Sequence, residues 1–151
     1  MRWHPYKNID PFNVPETAEK LLNEYWDIAE KLNIQTFLLC GTCLGFVRDG
    51  GFIIGDNDID VGILGGLEEL TAKLIENGFV KKTMWPGRNC HFLKYEILLD
   101  VTFGLPPQFL QTFDRVIYKD RTYNVPHPVE EYLTAFYGNW KIRDLRKVWK
   151  G

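Results

Sequence analysis

Residues 38–60 read LLCGTCLGFVRDGGFIIGDNDID and contain two patterns that indicate different chemistry. Cys40-Gly41-Thr42-Cys43 has the CxxC spacing found in thiol redox sites and in zinc sites. Asp56-Asn57-Asp58-Ile59-Asp60 is a cluster of carboxylates, the groups that hold magnesium in proteins. The apolar run 34–40 before the first pattern predicts a buried strand, and the run 59–64 after the second predicts another.

The periodicity of the remaining chain predicts a single α/β domain over residues 1–151, with a mixed β-sheet flanked by helices. Residues 1–13 are expected to form an irregular N-terminal arm, and residues 141–151 a polar, basic tail. The predicted elements are a helix with apolar residues from 18 to 32, strand 34–40, a short helix from 41 to about 47, a loop 48–51, strand 59–64, helix 67–75, strands 79–84, 90–95 and 97–103, a hairpin of 116–118 and 122–125, and helix 128–137.

Charge and composition exclude several classes of function. The net charge is −2 and no long basic run occurs, which argues against nonspecific nucleic-acid binding as the main task. The apolar runs are too short to span a bilayer, and the first 16 residues lack the apolar core of a signal peptide. The odd number of cysteines, 3, is typical of a reducing compartment, so we expect a cytoplasmic protein without a transmembrane segment.

Three acids are candidates for a metal site. Asp58 and Asp60 lie two residues apart on a predicted strand, which places both side chains on one face with Cα atoms roughly 7 Å apart. Asp100 is a lone charge in the apolar run Leu98-Leu99-Asp100-Val101, and a buried carboxylate needs a partner or a metal. If the two strands are neighbours, the three acids converge on Mg²⁺ or Mn²⁺. Asp56 is expected to support the ligands from behind or to cap the turn.

Three further residues are candidates for substrate binding. Gly41 and Thr42 follow a strand at the start of a helix, where backbone N–H groups and a hydroxyl suit a phosphate. Arg48, a turn or two later, offers a guanidinium that can bind phosphate through two parallel hydrogen bonds.

These motifs together resemble the LicD family, which includes fukutin and fukutin-related protein and has the nucleotidyltransferase fold. Departures from the family pattern include Gly55, which stands where a Trp is usual, Asn57, which stands where a middle acid is usual, and the lack of a visible zinc-binding insertion. The matching stretches are 41–48, 50–53 and 56–60, together with a C-terminal signature at 125–126, 131–133 and 137–140.

The resemblance implies transfer of a phospho-alcohol, such as phosphocholine or ribitol phosphate, from a cytidine diphosphate (CDP)-linked donor to a hydroxyl acceptor such as a glycan. By position, Asp58 and Asp60 would be the metal ligands, and Asp100 the third acid, acting as ligand or as base. Thr42 and Arg48 would hold the donor phosphates.

Three other functions stay open from the sequence. The same site could transfer a nucleoside monophosphate from a nucleoside triphosphate to a small molecule or protein. The chain could be a catalytically inactive binding module that keeps the fold. Cys40 and Cys43 could form a thiol or zinc site, but the remaining ligand types nearby, Cys90 and His91, are adjacent and would point to opposite faces of a strand.

Aromatic residues could also contribute to a ligand site. Four tryptophans are candidates for stacking on a substrate ring, and nothing in the sequence selects one of them. They are Trp26, Trp85, Trp140 and Trp149.

Overall fold

The computed structural model describes residues 15–53 and 56–142. The predicted N-terminal arm 1–13, residue Gly55 and the predicted tail beyond residue 142 lie outside the described residues. The helices are α1 (Pro15–Lys31), α2 (Cys40–Leu44), α3 (Leu67–Glu76) and α4 (Val129–Tyr137), and a π-helical turn spans Gly45–Asp49. The strands are β1 (Thr36–Leu38), β2 (Asp58–Ile63), β3 (Val80–Trp85), β4 (Asn89–Lys94), β5 (Ile97–Thr102), β6 (Phe113–Tyr118) and β7 (Arg121–Pro126).

Five of the strands form one mixed sheet in the order β1-β2-β5-β4-β3. β2 and β5 are parallel, and the other neighbouring pairs are antiparallel. β6 and β7 form a separate hairpin. The predicted α/β fold with a mixed sheet is confirmed. The strand that carries Asp100 lies beside the strand that carries Asp58 and Asp60, which is the condition under which the sequence had the three acids converge.

Helix α1 is fixed to the sheet by apolar packing and by two buried hydrogen bonds in series. Its apolar face is fully buried at Leu21, Leu22 and Tyr25. The Tyr25 hydroxyl lies 2.7 Å from Thr36 Oγ1 on β1, and Thr36 donates in turn to the Gly62 carbonyl on β2 at 2.8 Å. Burial raises the pKa of Tyr25, so the phenol keeps its proton and the chain of hydrogen bonds stays intact.

The short helix after β1 runs further than the sequence predicted. Residues 48–51 were expected to form a loop, but the chain continues as the π-helical turn to Asp49 and leaves it at Gly50, which has a left-handed φ of 75°. The Arg48 guanidinium binds the Asp49 carboxylate at 2.8 and 3.0 Å, which stabilises this last turn. Gly45 lets residue Gly51 fold back against the π-helical turn, because a Cβ at position 45 would collide with the Gly51 carbonyl oxygen.

The β6–β7 hairpin supports the same turn from outside the sheet. Phe46 of the π-helical turn packs against Tyr118 and Tyr123 of the hairpin, with ring centroids 4.6 and 5.7 Å apart. Asn124 on β7 donates from Nδ2 to the Thr36 carbonyl at 3.2 Å. The hairpin therefore holds the segment between β1 and β2, from which the candidate site is built. Within the described ranges, no helix is both long enough and apolar enough to cross a bilayer.

Candidate active site

Three acidic side chains form a buried cluster where β2 begins. One carboxylate oxygen from each of Asp56, Asp58 and Asp60 lies within 4.8 Å of the others. Asp58 is fully buried, and Asp56 and Asp60 are each 4% exposed. Asp58 and Asp60 alternate with Ile59 on the strand, so both project to the same face as the sequence predicted. The arrangement places three carboxylates at ligand distance around one point.

Asp56 is a full member of this cluster, although the sequence placed it only in a supporting position. Its N–H donates to the Ile53 carbonyl at 3.1 Å, and its Oδ1 accepts from the Asn57 N–H at 3.0 Å. Its other oxygen lies against Gly41, where an added Cβ would come within 2.5 Å of Oδ2. Gly41 therefore makes room for the Asp56 carboxylate, which is a role that the sequence pattern did not reveal.

Thr42 fixes the position of Asp60. The Asp60 N–H donates to Thr42 Oγ1 at 2.8 Å, and the Asp60 carbonyl accepts from the Leu39 N–H at 3.1 Å. Both backbone groups of Asp60 are therefore held by the junction of β1 and α2. Thr42 is 1% exposed, and its contact with a donor phosphate stays a prediction.

Helix α4 supports this junction from the other side. The Cys40 N–H, at the first residue of α2, donates to the Tyr132 hydroxyl at 2.9 Å. Burial raises the pKa of Tyr132 well above its ordinary value, so the hydroxyl stays neutral and can accept this hydrogen bond. A residue of α4, far away in sequence, thus helps to position the first turn of α2, which contains Gly41 and Thr42.

Arg48 lies on the π-helical turn and is largely buried. Besides its bidentate contact with Asp49, its guanidinium donates to the Trp140 carbonyl at 3.4 Å. The side chain therefore connects the π-helical turn with the segment that follows α4. Its predicted contact with a donor phosphate stays a prediction.

Asp100 lies directly across from Asp60 in the parallel β2–β5 pair. Paired residues of adjacent strands project to the same face, so Asp58, Asp60 and Asp100 share one face of the sheet. Among the described residues, however, the carboxylate cluster contains Asp56, Asp58 and Asp60 and not Asp100. The assignment of Asp100 as a metal ligand stays a prediction.

Two residues of β4 contact Asp100 instead. Asn89 Nδ2 donates to both carboxylate oxygens, at 3.0 and 3.2 Å. His91 lies opposite Asp100 in the β4–β5 register, and its Nε2 is 3.5 Å from Asp100 Oδ2. Neither residue was predicted to contact the acids, and His91 was considered only as a zinc ligand beside Cys90. The alternation of polar Asn89 and His91 with apolar Cys90 and Phe92 is the signal that could have placed both on the polar face.

The cysteines do not form a competing site within the described chain. Cys43 and Cys90 are fully buried, and burial raises the pKa of both thiols, which disfavours the reactive thiolate. Cys90 projects away from the face that carries His91, as the sequence predicted for a strand. The group of possible metal ligands found in the described residues consists of carboxylates alone. The geometry therefore favours the acidic site over the thiol or zinc alternative.

Comparison with known proteins agrees with this geometry. Residues 33–96 match the family model described as LicD/FKTN/FKRP, nucleotidyltransferase domain. This segment contains the β1–α2 junction and the clustered acids, and the match confirms the predicted resemblance to the LicD family there. The C-terminal signature noted in the sequence lies outside the matched segment. No curated protein sequence matches the chain significantly.

Solved nucleotidyltransferases share the fold. The lincosamide antibiotic adenylyltransferase LnuA, solved with lincomycin bound, aligns with a TM-score of 0.64 at 16% identity, covering 85% of this chain and 91% of that one. ANT(2")-Ia, solved in complex with adenylyl-2"-tobramycin, aligns with a TM-score of 0.66 at 15% identity, covering 87% of this chain and 84% of that one. Identities this low show the fold alone, which confirms the predicted nucleotidyltransferase fold. Together with the family match they support a transferase.

Proposed function

We propose that this chain, whose residues 33–96 match the LicD family's nucleotidyltransferase domain, is a divalent-cation-dependent transferase. In the proposed reaction, a phospho-alcohol moves from a CDP-linked donor to a hydroxyl group of the acceptor. The alcohol is of the phosphocholine or ribitol phosphate kind, and the acceptor is a glycan or another hydroxyl compound.

The observation that carries this proposal is the cluster of Asp56, Asp58 and Asp60. Three carboxylates with oxygens within 4.8 Å of one another repel each other strongly when buried, because little water is present to screen them. The donor set is made of hard oxygen ligands, which fits Mg²⁺ or Mn²⁺. When bound, such a cation would neutralise the charge of the donor phosphates and of the departing cytidine monophosphate.

Asp100 is proposed to accept the proton of the attacking hydroxyl. It lies on the same face as the cluster but outside it, and Asn89 Nδ2 holds both of its oxygens. The acceptor oxygen forms a bond to the phosphorus that carries the alcohol, while the bond from that phosphorus to the cytidine monophosphate oxygen breaks. The hydroxyl proton passes to Asp100, and cytidine monophosphate leaves with the bonding electron pair.

Gly41, Thr42 and Arg48 are proposed to contact the donor phosphates. The support is the LicD resemblance of residues 41–48 and the position of Gly41 and Thr42 beside the cluster. Arg48 reaches Asp49 and the Trp140 carbonyl, and a phosphate would compete for this guanidinium.

A second candidate is transfer of a nucleoside monophosphate from a nucleoside triphosphate to a hydroxyl. LnuA is a lincosamide antibiotic adenylyltransferase, ANT(2")-Ia was solved in complex with adenylyl-2"-tobramycin, and both share this fold. In that reaction the acceptor oxygen attacks the α-phosphorus, the bond between the α- and β-phosphates breaks, and pyrophosphate leaves. The same Asp100 would accept the proton.

Donor turnover separates the two candidates. The purified chain would be incubated with CDP-choline, CDP-ribitol, CTP or ATP, with and without Mg²⁺ or Mn²⁺, and nucleotide products resolved by chromatography. Cation-dependent release of cytidine monophosphate from a CDP-linked donor is the expected result. Release of pyrophosphate from CTP or ATP would instead support nucleotidyl transfer.

The matched variants are Asp58→Asn and Asp120→Asn. Asp58 is fully buried in the cluster, whereas Asp120 is an exposed acid between β6 and β7. We expect Asp58→Asn to lose turnover and Asp120→Asn to keep it. Equal turnover in Asp58→Asn and the parent would refute the site. A folded parent that binds these nucleotides but turns over none would support an inactive binding module.

A further inference from the structure

The order of the strands indicates the side from which an acceptor reaches Asp100. This step rests on the proposed function. The carboxylate cluster is built on β2, Asp100 lies on β5, and the strands that follow are β4 and β3. An in-line displacement places the attacking oxygen opposite the leaving group. With the donor phosphates at the cluster, the acceptor lies on the part of this face formed by β4 and β3.

Trp85, the last residue of β3, lies on that part of the face. It is paired with Asn89 in the β3–β4 register, and paired residues project to the same side of a sheet. The Asn89 amide contacts Asp100, which identifies that side as the one carrying the acids. Met84 and Cys90 form the neighbouring pair and project to the other side.

Trp85 is also open to a ligand. Trp85 is 49% exposed, whereas Trp26 and Trp140 are 3% and 8% exposed. It is therefore the accessible tryptophan among the described residues. This exposure singles out Trp85 among the tryptophans that the sequence offered as candidates for stacking on a substrate ring.

The backbone around Trp85 is anchored to the sheet. The Arg88 N–H donates to the Trp85 carbonyl at 2.9 Å, and the Arg88 carbonyl accepts from the Phe103 N–H at 2.8 Å. Gly104 packs closely on this turn, because a Cβ there would lie 2.9 Å from the Gly87 carbonyl oxygen. The β3–β4 turn is thus tied to the segment that follows β5, so the backbone of Trp85 is held at a defined place relative to β5.

We propose that Trp85 is a stacking platform for the acceptor, and that the acceptor presents its hydroxyl from a pyranose ring. A pyranose combines an apolar face of C–H groups, which an indole binds, with hydroxyls that reach polar groups such as the Asn89 amide. Asn89 pairs with Thr102 and His91 pairs with Asp100, so Trp85 is offset from Asp100 by two interstrand spacings and by two residues along the strands, roughly 12 Å between the Cα atoms. One pyranose ring lying over β4 would fit between the indole and Asp100.

The experiment compares Trp85→Ala, Trp85→Tyr and Met84→Ala in the full chain. Met84 is a neighbouring exposed apolar residue of the same strand on the opposite side, so its replacement controls for effects on β3. The probes are methyl β-D-galactopyranoside and glycerol, which lacks a ring, each with the CDP-linked donor that the parent uses. Transfer to water in the absence of an acceptor is measured in parallel.

We expect Trp85→Ala to raise KM for the pyranoside about tenfold, in line with loss of one aromatic stacking contact. Trp85→Tyr should recover most of this loss because it restores an aromatic face. In Trp85→Ala, the KM for glycerol and the rate of transfer to water should equal those of the parent. Met84→Ala should keep the parent's KM for the pyranoside. An unchanged pyranoside KM in Trp85→Ala, or an equal loss for glycerol, would overturn the platform.

Failure of the proposed function is distinguishable from failure of this inference. A parent that uses a CDP-linked donor but transfers to no pyranoside would show that the acceptor class is wrong. A parent that uses no CDP-linked donor would refute the proposed function, and the platform is then tested by binding alone. In that case, the tryptophan fluorescence of the parent should respond to methyl β-D-galactopyranoside and that of Trp85→Phe should not; no difference between them would overturn the platform.

Discussion

Asp60 and Asp100 lie directly opposite each other on the parallel strands β2 and β5, yet their carboxylates have different surroundings. Asp60 shares its space with two other buried acids, whereas Asp100 accepts two hydrogen bonds from the Asn89 amide. A group that holds a cation benefits from neighbouring negative charge, while a proton acceptor needs a fixed orientation towards its substrate. The pair therefore suggests that neighbouring acids of one sheet have separate tasks.

Replacing each acid by its amide tests this separation. Asp60→Asn should raise the melting temperature of the cation-free protein, because it removes one charge from a buried cluster, and should abolish the rise in Tm that Mg²⁺ or Mn²⁺ produces. Asp100→Asn should keep that rise but lose about 10²–10⁴-fold in transfer rate. Differential scanning fluorimetry with and without cation, together with rate measurements, checks both. A cation-dependent Tm rise lost equally in both variants would make Asp100 a ligand as well.

How far the sequence could place the residues of the candidate site depends on whether their interactions are local. The shared face of Asp58 and Asp60 could be predicted because the two-residue period of a strand is a local property. Asp100 could be selected as a candidate because an acid in an apolar strand is unfavourable without a partner.

The residues that the sequence missed differ in how far apart their contacts lie along the chain. Asp56 joined the cluster through its packing on Gly41, which no local pattern indicates. Asn89 and His91 reach Asp100 across the hairpin of the consecutive strands β4 and β5, so their alternation with apolar residues was a usable local signal. The position of Trp85 on the same face as the acids follows only from the sheet order β2-β5-β4-β3, which is set by the assembled core.

Gly41→Ala should weaken cation binding without unfolding the protein. The new Cβ would lie 2.5 Å from Asp56 Oδ2, so the carboxylate must move out of the cluster. We expect the cation concentration needed for half-maximal Tm rise to increase about tenfold or more, because one charged ligand is displaced. Gly65→Ala is the matched control, since a Cβ there meets nothing within 4 Å. Unchanged cation dependence in Gly41→Ala would mean that Asp56 is not a ligand.

Thr42→Val should destabilise the protein by about 1–3 kcal/mol, because the buried Asp60 N–H loses its acceptor at Oγ1 while the volume stays similar. Thr42→Ser keeps the hydroxyl and should retain most of the stability. Urea unfolding of the two variants and the parent gives the comparison. If valine and serine had equal effects, the methyl group and its packing would matter more than the hydrogen bond.

Asn89→Ala should reduce kcat about tenfold while the KM for the donor stays close to that of the parent. The reason is that loss of the two contacts to Asp100 frees the carboxylate to rotate, and positioning of a base affects the chemical step more than substrate binding. The control is Asn77→Ala. Asn77 follows the last residue of α3 and donates from its side chain to the Lys73 carbonyl. A rise in donor KM with unchanged kcat would place Asn89 in donor binding instead.

Asp114 should make the free energy of unfolding depend on pH, through its contacts at the start of α4. Its Oδ2 accepts from the Val129 N–H at 2.9 Å, and its Oδ1 lies 2.8 Å from His127 Nδ1. Partial burial opposes the charged form, but the contacts with His127 and with the Val129 N–H outweigh it and lower the pKa of Asp114. The unfolded chain therefore takes up the proton first as pH falls.

The stabilisation from Asp114 is thus complete above the ordinary aspartate pKa of about 3.9 and declines as pH falls through the lower value of the folded state. We expect Asp114→Ala to cost about 1 kcal/mol near pH 7, as for loss of a helix cap, and less at about pH 3. Asp120→Ala, at an exposed position, is the control. Urea unfolding at the two pH values measures the difference between each variant and the parent. A difference for Asp114→Ala that stays constant between them would show that the carboxylate charge contributes nothing and that only packing is lost.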